Sequence, residues 1–249
     1  MKGGGIVLIN QTADKLRTMK LPAMTQEFLR QMESPDTFAL EFEERIGMMV
    51  DAEWLSRENN RVKKLIGDAK LRVSGASFAD IDYRPARKLD RAAVARLADF
   101  RWVKDTRNII ITGCTGTGKT WLSCAFGAEA CRLGHHVLYY RVNRLLHELT
   151  VAEGSGTLSK ALSKLKKADL LILDDWGLTR LTTTEGRLLL EVFEDRWGAS
   201  STIIAAQLPI AKWHGLFENA TIADAALDRV VHNLWKYFHK LCYERLQVM

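Results

Sequence analysis

One eight-residue stretch limits the folds open to this chain more than any other feature of its sequence. Residues 113–120 read Gly-Cys-Thr-Gly-Thr-Gly-Lys-Thr and fit the spacing G-x-x-x-x-G-K-[ST]. The β-branched run Ile109–Thr112 before them predicts a buried strand, and the stretch from Trp121 to Ala130 after them predicts a helix. Glycines in such a loop let backbone N–H groups converge on phosphate oxygens at the positive end of the helix. The sequence therefore predicts a phosphate-binding loop in an α/β domain.

Nucleotide binding is assigned to all eight residues of this loop. They are Gly113, Cys114, Thr115, Gly116, Thr117, Gly118, Lys119 and Thr120. We expect Lys119 to place a positive charge on the β and γ phosphates, and Thr120 to supply an oxygen ligand to Mg²⁺. The predicted cofactors are ATP and Mg²⁺.

Further polar residues follow two other apolar runs. Asp174 and Asp175 come directly after Leu170–Leu173, and a second strand there would bring two carboxylates beside the magnesium ion. We expect Asp174 to hold Mg²⁺ through water, and Asp175 to orient or deprotonate the attacking water. Gln207 follows the predicted strand 202–205, where its amide can reach the γ-phosphate or that water, although a plain strand-end amide explains it almost as well.

Arg229 lies in a helical stretch well after the predicted sheet. An arginine there could stabilise transition-state charge on the γ-phosphate of a neighbouring subunit. An ion pair with Asp228 or Asp224 is the alternative, and spacing alone does not decide between the two. The catalytic candidates are thus Asp175, Gln207 and Arg229.

The chain divides into a helical part and an alternating part. Residues 12–19 and 22–32 predict two short helices, and strands predicted at 136–140, 170–173 and 202–205 alternate with helices, which is typical of a parallel sheet covered on both faces. Apolar residues at spacings of three and four predict a small helical core: Phe38, Phe42, Ile46, Met49, Val50 and Trp54. The expected domains are a helical partner- or DNA-binding domain over 1–80, a basic linker over 81–105 and an ATPase domain over 106–249.

Positive charge is clustered along the sequence. The chain has 36 Lys and Arg against 30 Asp and Glu, a net charge of +6. Residues 84–107 hold eight basic against three acidic residues, and residues 160–167 hold four lysines and no acid. Such clusters favour a polyanion such as nucleic acid, although solvated helix faces give similar counts.

Two features bear on location. The four cysteines form no C-x-x-C pair, which favours reduced thiols and a cytoplasmic protein. No apolar run approaches the roughly 18–20 residues of a membrane span, and the apolar start is too short for a signal peptide. We therefore expect no membrane partner.

Several motifs together resemble the IstB family, the AAA+ transposition helper ATPases of bacterial insertion sequences, which are related to DnaC-type helicase loaders. The similar segments are 113–120, 174–177, 206–209, Trp213-His214, 223–225 and 227–233, with Phe42-Glu43-Glu44-Arg45, Glu53, Arg57 and 80–83 nearer the amino terminus. The resemblance implies an AAA+ parallel sheet with flanking helices, preceded by a small all-α domain. It also implies ATP-dependent assembly of a homo-oligomer on double-stranded DNA in the service of a transposase.

The resemblance assigns residue roles as well. It places Arg229 at the family's arginine-finger position and Gln207 at its sensor position. It implies that a basic helical segment faces DNA through Arg141, Arg144, Lys160, Lys164, Lys166 and Lys167. The segment 160–167 contains no acidic residue, so we expect these four lysines to lack acidic neighbours that would compensate their charge.

The chain departs from the family pattern in two places. Asp174-Asp175 stands where many relatives carry Asp-Glu, and a carboxylate one methylene shorter reaches water less well, so we expect slow hydrolysis stimulated by DNA. The carboxyl-terminal Gly-Glu-Ser-x-Arg element is absent, so Arg245, near the family's second sensor arginine, lacks the surrounding match.

Three alternative functions remain open at this point. A helicase loader of the DnaC type would use the same residues and would bind the helicase through its helical amino-terminal part. A small-molecule or nucleotide kinase would share the loop but need an acceptor pocket and a mobile arginine lid. A binding module that takes ATP only as an assembly signal is favoured by Asp175 and by the altered tail.

Overall fold

The computed structural model describes residues 3–84 and 89–234, and its contacts group the chain into two units, residues 1–64 and 65–249. Over its described residues the first unit is helical. It contains α1 (Gly3–Thr18), α2 (Pro22–Glu33), a 3-10 turn (Pro35–Ala39) and most of α3 (Phe42–Ala69), which continues into the second unit. Helix α1 begins well before the predicted residue 12.

Glu53 on α3 holds the start of α2. Its carboxylate accepts hydrogen bonds from the backbone N–H groups of Ala23 and Met24, at 3.0 and 3.2 Å, and from Nε of Arg57 at 2.8 Å. The first amides of a helix lack partners within the helix and favour a negative charge. The Arg57 hydrogen bond, aided by the two amides, holds the pKa of Glu53 below its usual value.

The apolar stripe of the first unit is mostly exposed, so the prediction of a helical core from it is wrong. Met49 is buried, but the other five residues are 36–71% exposed: Phe38, Phe42, Ile46, Val50 and Trp54. Helical spacing shows which residues share a face, but it does not show whether another element covers that face.

The second unit is built on a parallel sheet. Its strands are β1 (Ile109–Thr112), β2 (Val137–Arg141), β3 (Leu170–Trp176) and β4 (Ser201–Ala206), in the order β1-β4-β3-β2. The sheet carries α4 (Arg91–Leu97), α5 (Arg101–Lys104), α6 (Lys119–Arg132), α7 (Val142–Gly154), α8 (Leu158–Lys166), α9 (Thr183–Arg196) and α10 (Ala220–Val231). Because the strands are parallel, their carboxyl ends meet at one edge, where ligands of such sheets bind.

Apolar residues cover both faces of the sheet. Ile109 and Ile111 join a core with α6, while Ile110 joins a second core with residues of α7, α9 and α10. This double burial explains why the strands are continuous apolar runs rather than alternating ones. The predicted α/β class with a parallel sheet is confirmed.

The segment between α3 and β1 packs into the core beside α6. Phe78 contacts Phe126 edge-on with ring centroids 4.8 Å apart, and Leu71 lies against Gly127 of α6. Leu97 and Trp102, from α4 and α5, are fully buried in the same core. The unit boundary at 64 thus differs from the predicted domain boundaries at 80 and 105; residues 85–88 lie outside the described part.

The structure also bears on the cysteines and on possible membrane-spanning helices. Cys124 and Cys131 are buried free thiols and Cys114 is an exposed one, while Cys242 lies outside the described residues. In the described parts of the chain, no helix has both the length and the apolar character needed to cross a membrane.

Candidate functional site

The loop between β1 and α6 has the backbone of a phosphate cradle. Gly116 and Gly118 have φ angles of +81° and +91°, a left-handed conformation that glycine adopts without strain. Lys119 opens α6, and its Nζ donates a hydrogen bond of 2.8 Å to the Cys114 carbonyl oxygen, as does the Thr117 hydroxyl at 2.8 Å. Burial lowers the pKa of Lys119, and the Asp174 carboxylate opposes that shift.

Thr120 and Asp174 lie in direct contact. The Thr120 hydroxyl donates to Oδ2 of Asp174 at 2.7 Å, and the Tyr139 hydroxyl donates to the same oxygen at 2.6 Å. The other oxygen, Oδ1, accepts the backbone N–H of Asp175 at 2.9 Å. Asp174 is 1% exposed, so three hydrogen bonds replace the water that its carboxylate loses on burial. This donor set of hydroxyl and carboxylate oxygens suits Mg²⁺.

Asp175 has an unusual backbone and two basic neighbours. Its φ is +59°, and the pairing of β3 with β4 shifts register between Leu173 and Trp176. Oδ2 of Asp175 accepts a hydrogen bond from Nε of Arg141 at 2.6 Å and lies 3.6 Å from a guanidinium nitrogen of Arg72. The Asp175 hydrogen bond raises the pKa of Arg141. Arg141, a predicted DNA residue, therefore also touches the predicted catalytic acid.

Beside these residues lies a cleft of about 460 Å³, within the range of ligand pockets, roughly 300–1,000 Å³. Its walls are formed by Arg72, Val73, Thr115, Gly116, Gly118, Lys119, Thr120, Trp121, Asp174, Asp175, Ala205 and Gln207. Sequence reasoning missed Arg72 and Tyr139 as parts of this site. No motif marks either residue, and only the fold brings them to the loop.

Gln207 and Arg229 occupy different places. Gln207 follows β4, and its Oε1 accepts a hydrogen bond of 3.0 Å from the Thr115 hydroxyl of the loop. Arg229 on α10 pairs with Asp228 at 2.9 Å and stacks over the Trp197 ring at 5.3 Å. Among the described residues that line the cleft, Arg229 is absent. Both open readings of Arg229 are compatible with this placement, and Arg245 lies outside the described residues.

The predicted DNA residues fall into two groups. Lys160, Lys164 and Lys167 line one open groove along α8. The remaining three have acidic partners: Arg141 with Asp175, Arg144 with Glu148 at 3.3 Å, and Lys166 with Asp195 at 3.1 Å. The expectation that the four lysines lack acidic neighbours is therefore wrong for Lys166, because α9 brings in Asp195 from outside the segment.

Solved structures share this fold. A DNA replication initiation factor aligns with a TM-score of 0.54 at 22% identity over 69% of this chain and 50% of that chain. The DnaC helicase loader aligns with a TM-score of 0.52 at 19% identity over 68% of this chain and 96% of that chain. This likeness shows the fold alone, a parallel sheet with flanking helices.

Sequence comparison identifies the family. An insertion sequence ATP-binding protein of Sinorhizobium fredii is 41% identical over 227 residues, 91% of this chain and 92% of that protein. The ATP-binding protein of insertion sequence IS1162 from Pseudomonas fluorescens is 40% identical over 203 residues, 82% of this chain and 88% of that protein. Residues 14–239 match the family described as IstB-like ATP binding protein. The chain, with its phosphate loop facing Asp174, therefore belongs to the family of IstB-like ATP binding proteins.

Proposed function

We propose that this protein is a cytoplasmic ATPase that binds ATP and Mg²⁺, assembles as a homo-oligomer on double-stranded DNA, and assists a transposase in moving an insertion sequence. The observation that carries the proposal is the contact of Thr120 with Asp174 at 2.7 Å beside Lys119. It joins a phosphate loop to a buried carboxylate in a chain whose relatives are named insertion sequence ATP-binding proteins.

Each residue at the site has a part in binding. Backbone N–H groups of residues 113–118 and the Lys119 ammonium bind the phosphates, while Thr120 and Asp174 hold the metal. Bound Mg²⁺ neutralises charge on the β and γ phosphates. Gln207 accepts a hydrogen bond from Thr115 at the end of β4, which supports a contact with the γ-phosphate or the attacking water.

Hydrolysis is expected to be slow until DNA binds. Asp175 must face the attacking water, but Arg141 and Arg72 now hold its carboxylate. A DNA phosphate that attracts Arg141 removes the partner that is hydrogen-bonded to Asp175, so that the Asp175 carboxylate oxygen can accept a proton from water while Arg72 stays nearby. The partly exposed Arg141 ion pair is worth no more than about 1 kcal/mol, so a single phosphate contact suffices to exchange it.

DNA binding is assigned to the groove of α8. Lys160, Lys164 and Lys167 share one helix face, and each lost phosphate contact should reduce the slope of log K against log salt by about 0.9. We expect the triple change of these lysines to glutamine to reduce that slope similarly on any DNA sequence, because phosphate contacts do not read bases. Lys166→Gln is the matched control, since Asp195 already compensates Lys166. If the triple variant and the parent have equal slopes of log K against log salt, the groove is not the DNA-binding site.

Size analysis of the full chain tests the assembly. The protein should form large complexes only when ATP and DNA are both present, and the Lys119→Ala variant should remain small under all conditions. Large complexes that form without ATP, or in the Lys119→Ala variant, would contradict the proposal.

A helicase loader of the DnaC type is the second candidate, supported by the shared fold. In both cases the first unit is proposed to bind the protein partner, since its exposed stripe holds Phe42, Val50 and Trp54. Capture of purified transposase and of purified replicative helicase by the same preparation distinguishes the two. Binding to the helicase alone would favour the loader.

A further inference from the structure

Tyr139 lies behind the metal-binding residues without belonging to any motif. It is the third residue of β2, is 8% exposed, and pairs in register with Ile172, two positions before Asp174. Residues two positions apart on a strand share a face, so the Tyr139 ring points toward the same side as Asp174. Its hydroxyl oxygen lies 2.6 Å from Oδ2 of Asp174.

The direction of this hydrogen bond is fixed by its surroundings. An ionised carboxylate only accepts, so the Tyr139 hydroxyl must donate its proton to Asp174.

We propose that Tyr139 is a positioning residue for Mg²⁺: it fixes the Asp174 carboxylate in the orientation in which Asp174 and Thr120 present oxygens to one ion. The inference rests on the proposed role of Asp174 and Thr120 in holding the metal. Thr120 can keep its proton on Asp174 while its oxygen lone pair turns to the ion. Tyr139 approaches from β2, on the buried side, and is not required to move.

The test compares two neighbouring tyrosines. Tyr139→Phe removes the hydroxyl and keeps the ring, and Tyr140→Phe is the matched control, because the Tyr140 hydroxyl accepts from Lys164 at 2.9 Å instead. Equilibrium binding of a fluorescent ATP analogue is measured in EDTA and across a Mg²⁺ titration, with thermal melting as the check on folding. Loss of an outer hydrogen-bond partner of a metal ligand typically weakens metal binding about 10–100-fold.

We expect Tyr139→Phe to raise the Mg²⁺ concentration at half-maximal enhancement of binding by about 10-fold, with binding in EDTA unchanged. Tyr140→Phe should match the parent in both measurements. A Tyr139→Phe midpoint within about twofold of the parent overturns the inference, as does an equal loss of binding in EDTA and in Mg²⁺, which marks a structural role. If binding of the ATP analogue by the parent protein does not depend on Mg²⁺, then Asp174 does not have the proposed role in holding the metal, and the inference about Tyr139 is refuted together with that role.

Discussion

The substitution Gly127→Ala tests whether the segment between α3 and β1, which packs against α6, supports the nucleotide site. Gly127 lies inside α6, where glycine costs about 1 kcal/mol relative to alanine. A Cβ added there would lie 2.8 Å from Cδ1 of Ile172 and 2.8 Å from Cδ2 of Leu71. Ile172 is fully buried in the centre of the sheet, so Leu71, the less buried of the two, must move.

The magnitude follows from two opposing terms. Alanine gains about 1 kcal/mol of helix propensity at either glycine, whereas overpacking at Gly127 costs about 1–3 kcal/mol. Gly67, in the last turns of α3 and in the same unit, has no heavy atom within 4 Å of an added Cβ and is the matched control. Gly127→Ala should therefore be less stable than Gly67→Ala by about 1–3 kcal/mol. For a unit of this size, that separates their melting temperatures by roughly 2–12 °C.

Thermal melting followed by circular dichroism measures this difference, and nucleotide titration adds a functional reading. Leu71 adjoins Arg72, which contacts Asp175, so movement of Leu71 should weaken nucleotide binding in Gly127→Ala and not in Gly67→Ala. A Gly127→Ala variant that melts at or above Gly67→Ala would refute the claim that Leu71 and Ile172 are tightly packed against α6.

Three further predictions address single residues. Asp175→Asn should reduce phosphate release by about 100-fold or more with ATP binding nearly intact, and a fall in both would mean that Asp175 serves binding. If Arg229 acts on a neighbouring subunit, a mixture of Arg229→Ala and Lys119→Ala proteins should recover some DNA-stimulated hydrolysis, because one variant keeps the nucleotide site and the other keeps the arginine. If the two variants assemble together and no hydrolysis is recovered, Arg229 acts within its own chain. Glu53→Gln should lower the melting temperature at pH 7 and have little effect near pH 3. The reason is that the folded protein lowers the pKa of Glu53, so its carboxylate stabilises the fold at pH values above the pKa of unfolded Glu, about 4.3, and this stabilisation is lost as the pH falls through the lower pKa of the folded state. Equal effects at both pH values would show that the Glu53 charge is not the cause.

Sequence reasoning succeeded where the signal is local. Strands predicted at 109–112, 136–140, 170–173 and 202–205 lie within a few residues of β1 to β4, because strands buried on both faces are uninterrupted apolar runs. Spacing alone likewise predicted the glycine turns between β1 and α6, which are present at Gly116 and Gly118, while phosphate binding by this loop stays a prediction.

Other features depend on contacts between distant parts of the chain. Tyr139 and Arg72 carry no motif and reach the acids only through the pairing of β2 with β3 and the packing of Leu71 on α6. The sequence predicts a basic linker over 81–105, yet Ile81 and Leu89, which lie outside the helices of this segment, pack into the core. A regular spacing of apolar residues identifies helices and strands, but an irregular segment can bury its side chains although its apolar residues have no regular spacing.

The left-handed backbone at Asp175 limits how this site can change over generations. Short polar side chains such as those of aspartate and asparagine tolerate a φ of +59°, whereas most other residues lose about 1–2 kcal/mol there. A lineage that acquired glutamate would gain reach toward water at the expense of stability, while asparagine would suit the backbone and discard the charge. Under the roles proposed above, mutation of Asp175 therefore leads more readily to a protein that binds ATP without hydrolysing it than to one that hydrolyses ATP faster.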